Sequence, residues 1–324
     1  MPISVTVETS ARLHLGFLDL NGATGRKFGS LGLAIDKPTT RLTISRSDVT
    51  RVEGPERERV AAHLAALRGR LGLTSAYNVT IEEAIPAHVG LGSGTQLALA
   101  VAAGLRSLES LPPEIESDAL LLRRGARSGI GAALFSCGGM IVDGGHGAGK
   151  ALPPIISQLP FPEEWRIILV MDNTVTGVHG DAERAAFAKL PPFPEHEAAA
   201  ICHIVLMKAL PALVEHDLTE FGDALSRIQM SLGDYFAPAQ GGTRYTSAKV
   251  AAAMAALETH GAKGIGQSSW GPTGFAFAES ENEARQLIDC VRKNNAQENP
   301  IMLICKGINH GAKIAIIPNS QDQG

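Results

Sequence analysis

Residues 86–108 read PAHVGLGSGTQLALAVAAGLRSL: a loop carrying Gly90, Gly92 and Gly94, then an apolar run rich in alanine. Glycines at this density allow sharp turns and close approach of the backbone to another group. The run 95–108 predicts a helix whose small residues let it pack closely. A helix that starts directly after such a loop offers unpaired N–H groups and the positive end of its dipole. Gly90, Leu91, Gly92, Ser93, Gly94 and Thr95 are therefore a candidate cradle for a phosphate or diphosphate. The Ser93 and Thr95 hydroxyls add hydrogen bonds or contacts to a metal. The same residues also fit an ordinary Gly-rich turn with Thr95 as helix cap.

Outward from this loop, alternation predicts strands over 3–8, 41–45 and 78–82. Helical spacing of Val60, Leu64, Leu67 and Leu71 predicts a helix over 56–71 between the last two. A further helix is expected over 117–127 and a short strand over 140–143. Pro153, Pro154, Pro160 and Pro162 cluster in a low-charge stretch, the best boundary candidate. This divides the chain into 1–157 and 158–324. Beyond it, 166–171 reads as a buried strand. Helices are expected near 197–214, 218–232 and 246–260, then strands over 274–279, 301–305 and 313–317. Ser280 and Glu283 form a capping box for a helix between the first two of these strands. The alternation of helices with short strands gives an α+β fold.

The chain has 324 residues, 29 Lys and Arg against 33 Asp and Glu, and a formal charge of −4. Aromatic residues make up 5% and hydrophobic residues 44%. That lacks the charge and stacking surface of a nucleic-acid binder, and it is too apolar for disorder. Glycine is in excess, 35 residues against a usual ~7%. Cys137, Cys202, Cys290 and Cys305 are scattered and form no CxxC pair, as expected of reduced thiols in a cytoplasmic protein. No signal peptide and no uninterrupted apolar run of ~18 residues is visible, so no membrane association is expected. A homodimer is the default.

Four other stretches bear on chemistry. GGHGAGK, residues 144–150, nearly matches a P-loop, but Ala151 stands where the magnesium-binding hydroxyl belongs and LPP follows instead of a helix. Arg12 and His14 alternate with Leu13 and Leu15, so on a strand they share a face that can grip a phosphate or carboxylate. A solvated edge-strand face is the plainer alternative. The segment 261–274 holds five further glycines around Gln267, Ser268, Ser269 and Trp270. Trp270 can face a flat ligand or pack in the core. Asp172, directly after the buried strand, is placed as a magnesium ligand, with His179 and Asp181 nearby; a turn former at a strand end is the plainer alternative. No zinc spacing and no GxSxG elbow occur.

The central loop and the Gly-rich segment near the C-terminus, in this order, resemble the small-molecule kinase superfamily of galactokinase, homoserine kinase, mevalonate kinase and phosphomevalonate kinase. Five blocks are similar to the β-ribofuranosylaminobenzene 5′-phosphate synthase family of tetrahydromethanopterin biosynthesis: SARLHLGFLDLNG (10–22), GRKFGSLGLAID (25–36), IPAHVGLGSGTQLALAVAAG (85–104), RGARSGIGAALFSCGGMIVDGG (124–145) and GIGQSSWGPTGFAF (264–277). The resemblance implies two domains, the first containing a βαβ unit and the second ferredoxin-like. Kinases of the superfamily commonly have an Asp where Gly131 stands here, and a Ser where Gly94 stands. A missing base fits poorly with phosphorylation of a hydroxyl.

The reaction the resemblance implies joins phosphoribosyl diphosphate to 4-aminobenzoate, releasing diphosphate and carbon dioxide. It implies magnesium, with Asp19, Asp172 and Ser93 as candidate ligands. Arg26 and Arg127 are candidate carboxylate anchors, and Arg12 and His14 candidates for phosphate groups. Arg26, Arg127 and Asp172 form the expected catalytic set. 4-Hydroxybenzoate differs from 4-aminobenzoate at one small group and stays open. An ATP-dependent small-molecule kinase and a non-catalytic sensor are the alternative functions.

Overall fold

The alternation that starts at the N-terminus continues much further than six residues. In β1 (Ser4–Asp19) Val5, Val7, Ala11, Leu13, Leu15 and Phe17 are all buried, the period of two expected of a strand. Its antiparallel partner β2 (Phe28–Ser47) is longer still. The structure, a computed structural model, describes residues 3–149, 151–177, 180–294 and 300–318.

The chain continues through β3 (Arg51–Glu53), α1 (Arg57–Leu71), β4 (Ala76–Glu83), α2 (Ser93–Leu108), α3 (Ile115–Leu121), α4 (Ile130–Cys137), β5 (Met140–Asp143) and β6 (Ile155–Leu159). There follow β7 (Arg166–Met171), α5 (Gly180–Lys189), α6 (Glu195–Ile204), α7 (Leu210–Val214), α8 (Leu218–Phe236) and α9 (Ala248–Thr259). The chain closes with β8 (Lys263–Gln267), β9 (Gly274–Ala278), α10 (Glu281–Asn294), β10 (Ile301–Cys305) and β11 (Lys313–Ile317).

The first sheet has the order β11-β1-β2-β4-β3, with β5 paired to β2 and β6 to β5. β3 and β4 are parallel across α1, the expected βαβ unit. The second sheet has the order β10-β7-β9-β8, each pair antiparallel. Two helical crossovers and that strand order make it ferredoxin-like. The expected cut at 157/158 is corrected by two strands. β6 straddles it and pairs with β5, and β11 returns to lie beside β1. The C-terminal strand is therefore part of the first sheet, and β1 is an interior strand rather than an edge.

α2 lies on the first sheet as its small residues predict. A Cβ at Gly104 would stand 3.0 Å from the Cγ2 of Ile44, so the helix sits close against β2. Its Leu97, Leu99, Val101, Leu105 and Leu108 are buried with Val5, Val7, Leu42 and Ile44. Each such side chain stabilises by about 1.5–3 kcal/mol. The later part of β1, with Leu13, Leu15 and Phe17, joins β7, β9 and the α6–α8 helices in a second core. Residues 195–214 form a helical run holding an 18-residue stretch of mean hydropathy 1.7, long and apolar enough to cross a membrane. Its Ala198, Ile201, Val205, Ala209 and Leu213 pack in that second core.

The helix expected over 117–127 stops at Leu121. Arg123 takes a left-handed φ of 55°, and the N–H of Arg124 donates back to Ala119 O at 2.7 Å. The chain turns there, and the Arg124 side chain is released toward the Gly-rich loop.

Candidate active site

Two irregularities in the β1–β2 register, at Ser10/Ala11 and His14/Gly16, bracket Arg12 and His14. Bulges of this kind re-aim side chains beside functional sites. The Arg12 N–H donates to Leu91 O at 3.1 Å, and its Nη1 to Gly90 O at 3.2 Å. The Gly-rich loop is thus laid along β1. Gly92 has φ 76°, and a Cβ there would meet the Cγ of Arg12 at 2.6 Å, so only glycine lets Arg12 pass. α2 begins at Ser93, with no side-chain cap and no acidic residue in its first turn. Its positive end is left open to an anion.

A 370 Å3 cavity opens over this helix end, lined by Arg12, Arg59, Arg124, His88, Ser93 and Thr95 among others. Sequence reasoning missed Arg59 and Arg124. Arg59 lies in a charged helical run with no glycine beside it, and Arg124 was expected inside a helix. Burial, and then the nearby Arg59, hold the Arg124 guanidinium below its ordinary value. Gly131 lies against the loop from the other side, where a Cβ would meet Thr95 Cγ2 at 3.1 Å. Gln96 Nε2 donates to its carbonyl at 2.9 Å. The position expected to replace the kinase Asp is therefore beside the loop and carries no carboxylate.

The segment 268–271 closes the loop from above. Ser268 is fully buried, and its Oγ donates to Gly90 O at 2.8 Å while accepting from the His14 N–H at 3.0 Å. It staples β1, the loop and this segment together, so Ser268 supports the site instead of contacting a ligand. Gln267 is committed likewise, to Gln240 and the Thr246 N–H. Ser269, with φ 56°, and Trp270 line the cavity.

Trp270 is nearly fully buried, its ring 5.2 Å from Phe187 and 4.6 Å from Phe236. Beyond Phe187 lies a second cavity of 430 Å3, whose walls include Phe28, Phe187, Phe193, Tyr235, Lys27 and Arg127. The Arg127 guanidinium stands 5.3 Å over the Phe187 ring. An aromatic wall with a guanidinium is a receptor for a flat carboxylate. His14 lines a small pocket with Phe17, Phe236 and Trp270, and it feels the charge of both Arg12 and Arg127.

The family descriptions "GHMP kinases N terminal domain" and "GHMP kinases C terminal" match residues 58–140 and 209–297. The fold is similar to a homoserine kinase from Cytophaga hutchinsonii, with TM-score 0.70, 18% identity, and 97% of this chain and 98% of that chain covered. A protein of Methanothermobacter thermautotrophicus named beta-ribofuranosylphenol 5′-phosphate synthase is 31% identical, over 87% of this chain and 91% of its own. A protein of the same name from Archaeoglobus fulgidus is 33% identical over 96% of this chain and 99% of its own length. The chain belongs to the β-ribofuranosylphenol 5′-phosphate synthase family. It is an enzyme, built on the kinase-superfamily fold.

Not every residue expected to serve this family member is gathered at the cavities. Arg26 lines neither. Its Nε donates to Gly144 O at 2.7 Å and its Nη2 to Gly145 O at 2.6 Å, so it pins the turn after β5. That turn is followed by β6 rather than a helix, which removes the near-match to a P-loop; Lys150 lies outside the described residues. Asp19 Oδ1 accepts from the N–H groups of Asn21 and Gly22, a local turn. Among the described residues no three His, Cys, Asp or Glu side chains are grouped to hold a metal. Of the three expected magnesium ligands only Ser93 lines the phosphate cavity. His179 and the side chain of Asp181 lie outside what is described.

Asp172 also lines neither cavity. Its Oδ1 accepts from Thr174 Oγ1 at 2.6 Å and its Oδ2 from Ser247 Oγ at 2.7 Å. Ser247 caps α9. Burial would raise this carboxyl, but the Thr174 and Ser247 hydrogen bonds and Lys249 outweigh it and hold it below its ordinary value. Asp172→Ala is therefore expected to cost about 2 kcal/mol of stability, as buried hydrogen bonds to a charged group do. Urea unfolding monitored by circular dichroism checks this, and an unchanged midpoint would contradict it.

His14 was expected to grip phosphate as a cation, and its surroundings reverse that. Burial, then Arg12 and Arg127, push the imidazole well below 6.5, so it is neutral. Burial, then Arg124 and Arg59, take His63 to about 4. Below about pH 6.5 the unfolded chain then binds more protons than the folded one. Stability is full above that pH and falls as pH drops toward the folded values. Urea midpoints measured from about pH 7 to about pH 5 should decline, and decline less steeply in His14→Gln. Equal slopes would mean that His14 is not held neutral.

Proposed function

We propose that this protein is a cytoplasmic decarboxylating phosphoribosyltransferase. It joins phosphoribosyl diphosphate to a benzoate bearing an electron-donating para group, 4-hydroxybenzoate or 4-aminobenzoate. The products are the β-ribofuranosyl arene 5′-phosphate, carbon dioxide and diphosphate. The relatives are named for the phenol, and the resemblance of the glycine blocks pointed to the aminobenzene. The observation that carries the reading is the pairing of an anion cavity with an aromatic one across Trp270 and Phe187.

The chemistry follows from what each wall supplies. The α2 N-terminus and Arg12 hold the diphosphate, stabilising the charge that builds on it as the C1–O bond breaks. Arg127 holds the carboxylate and points the ring at C1. The para donor makes the carboxylate-bearing ring carbon nucleophilic. Carbon–carbon bond formation there gives a ring cation, and loss of carbon dioxide restores aromaticity. No base is needed, which agrees with glycine at 131. Trp270, Phe187 and Phe236 keep water from the ribosyl cation.

Magnesium fits this site as a companion of the diphosphate. The cavity offers the Ser93 and Thr95 hydroxyls as hard oxygen donors, and among the described residues no carboxylate lines it. That set suits an ion bound largely through substrate phosphates. When bound, it would neutralise charge on the leaving group.

Initial rates with 4-hydroxybenzoate, 4-aminobenzoate and plain benzoate test the reading. Turnover is expected with one or both donors and none with benzoate. Equal rates with benzoate would remove the ring-cation step, and no product from any of the three would remove the reading.

A further inference from the structure

We propose that Arg59 and Arg124 clasp the terminal phosphate of the diphosphate, fixing the substrate with its leaving end at Gly94 and its anomeric carbon toward the aromatic cavity. This assignment rests on the phosphoribosyltransferase reading above. It is carried by the position of Gly94. The point where a Cβ of residue 94 would stand is 2.9 Å from Arg124 Nη1 and 3.1 Å from Arg59 Nη2. The loop that this one resembles carries a serine there. Its absence lets two guanidinium groups from α1 and the α3–α4 turn converge on the start of α2.

Side by side, these cations disfavour each other unless an anion joins them. Arg59 has one carboxylate, Glu56 Oε2 at 2.6 Å. The Nε of Arg124 is buried without a hydrogen-bond partner, and its Nη2 faces the neutral His63 Nε2 at 3.5 Å. The pair is therefore short of negative charge at the mouth of the phosphate cavity.

The cations also stand in sequence. Arg59 and Arg124 are at Gly94, Arg12 is at Gly92 and Gly90, and Arg127 lies over Phe187 in the aromatic cavity. Gly92 and Gly94 are at most about 7 Å apart along the chain. That is the reach of two adjoining phosphoryl groups. A 5′-phosphate would be separated from the α-phosphate by the whole furanose ring. The order thus reads terminal phosphate, α-phosphate, anomeric carbon, aromatic ring. As the C1–O bond breaks, its electron pair passes to the α-phosphate oxygen. The bond between C1 and the ring carbon forms, and the pair of the ring–carboxylate bond returns to the ring as carbon dioxide leaves. The negative charge of the carboxylate ends on diphosphate, and no proton is transferred. The guanidinium pair sits where that charge collects.

Calorimetric binding of inorganic diphosphate and of ribose 5-phosphate, with magnesium present, tests the assignment. In Arg59→Gln and Arg124→Gln, diphosphate is expected to bind at least about tenfold more weakly, while ribose 5-phosphate changes less than about twofold. Gly94→Ser should produce the same split without removing a charge, and it serves if Arg124→Gln does not fold. Weakening of ribose 5-phosphate alone, or of both ligands equally, would overturn the assignment. So would unchanged diphosphate binding in all variants. Wild-type protein that binds neither diphosphate nor phosphoribosyl diphosphate would overturn the underlying reading instead.

Discussion

Gly90→Ala is expected to lower kcat/KM at least about a hundredfold while both sheets stay folded. Gly90 has φ 85°, a region that costs an alanine about 1–2 kcal/mol. The larger effect is steric. A Cβ at this position would stand 2.3 Å from the carbonyl oxygen of Ser268. Both groups are backbone, so no side chain can swing away. The loop must separate from 268–271, and the Ser268 hydroxyl then cannot reach Gly90 O and the His14 N–H together. Arg12, His14 and the start of α2 lose their mutual alignment. A displacement of about 1 Å in a positioned site costs on the order of a hundredfold. Steady-state rates with far-ultraviolet circular dichroism check the expectation. Near-normal turnover would show that the staple is dispensable.

Arg127→Met is expected to raise KM for the aromatic acid roughly 10–100-fold and KM for phosphoribosyl diphosphate much less. Charge-assisted hydrogen bonds of the kind a guanidinium makes to a carboxylate contribute about 1.5–3 kcal/mol. Methionine keeps apolar contact with Phe187 but removes the charge. Arg127→Lys should recover only part of the loss, because the ammonium lacks the planar fork. Initial rates with each substrate varied in turn give the two KM values. An equal rise in both would move Arg127 from the acid to a general supporting role.

The central loop and α2 were readable because glycine spacing and an alanine-rich helix are local signals. The strands at 166–171, 274–279 and 301–305 were readable too, but the ferredoxin-like order came from the resemblance alone, since its fourth strand, β8 (Lys263–Gln267), lies in a segment that reads as a Gly-rich connection. The full length of β1 and β2 was not readable, since Gly16, Gly29 and Gly32 interrupt the pattern that a strand reading needs. Arg59 and Arg124 were hidden for a different reason. Their role comes from convergence on a missing side chain at Gly94, a contact between elements distant in the chain. The aromatic cavity draws Phe28, Phe187, Phe193 and Tyr235 from three separate regions. Asp172 and Arg26 show the reverse case. A carboxylate at a strand end and an arginine among glycines read as chemistry, while their hydrogen bonds place them in an α9 cap and a turn.

The most direct test of the account is the stoichiometry of the reaction without ATP. Purified protein, phosphoribosyl diphosphate, magnesium and a carboxyl-labelled 4-hydroxybenzoate or 4-aminobenzoate are followed for labelled carbon dioxide and for diphosphate. The account predicts that the two are released in equal amounts, whether or not ATP is present. Diphosphate released without carbon dioxide, or no reaction with these substrates alongside ATP-dependent phosphorylation of a small alcohol, would contradict it.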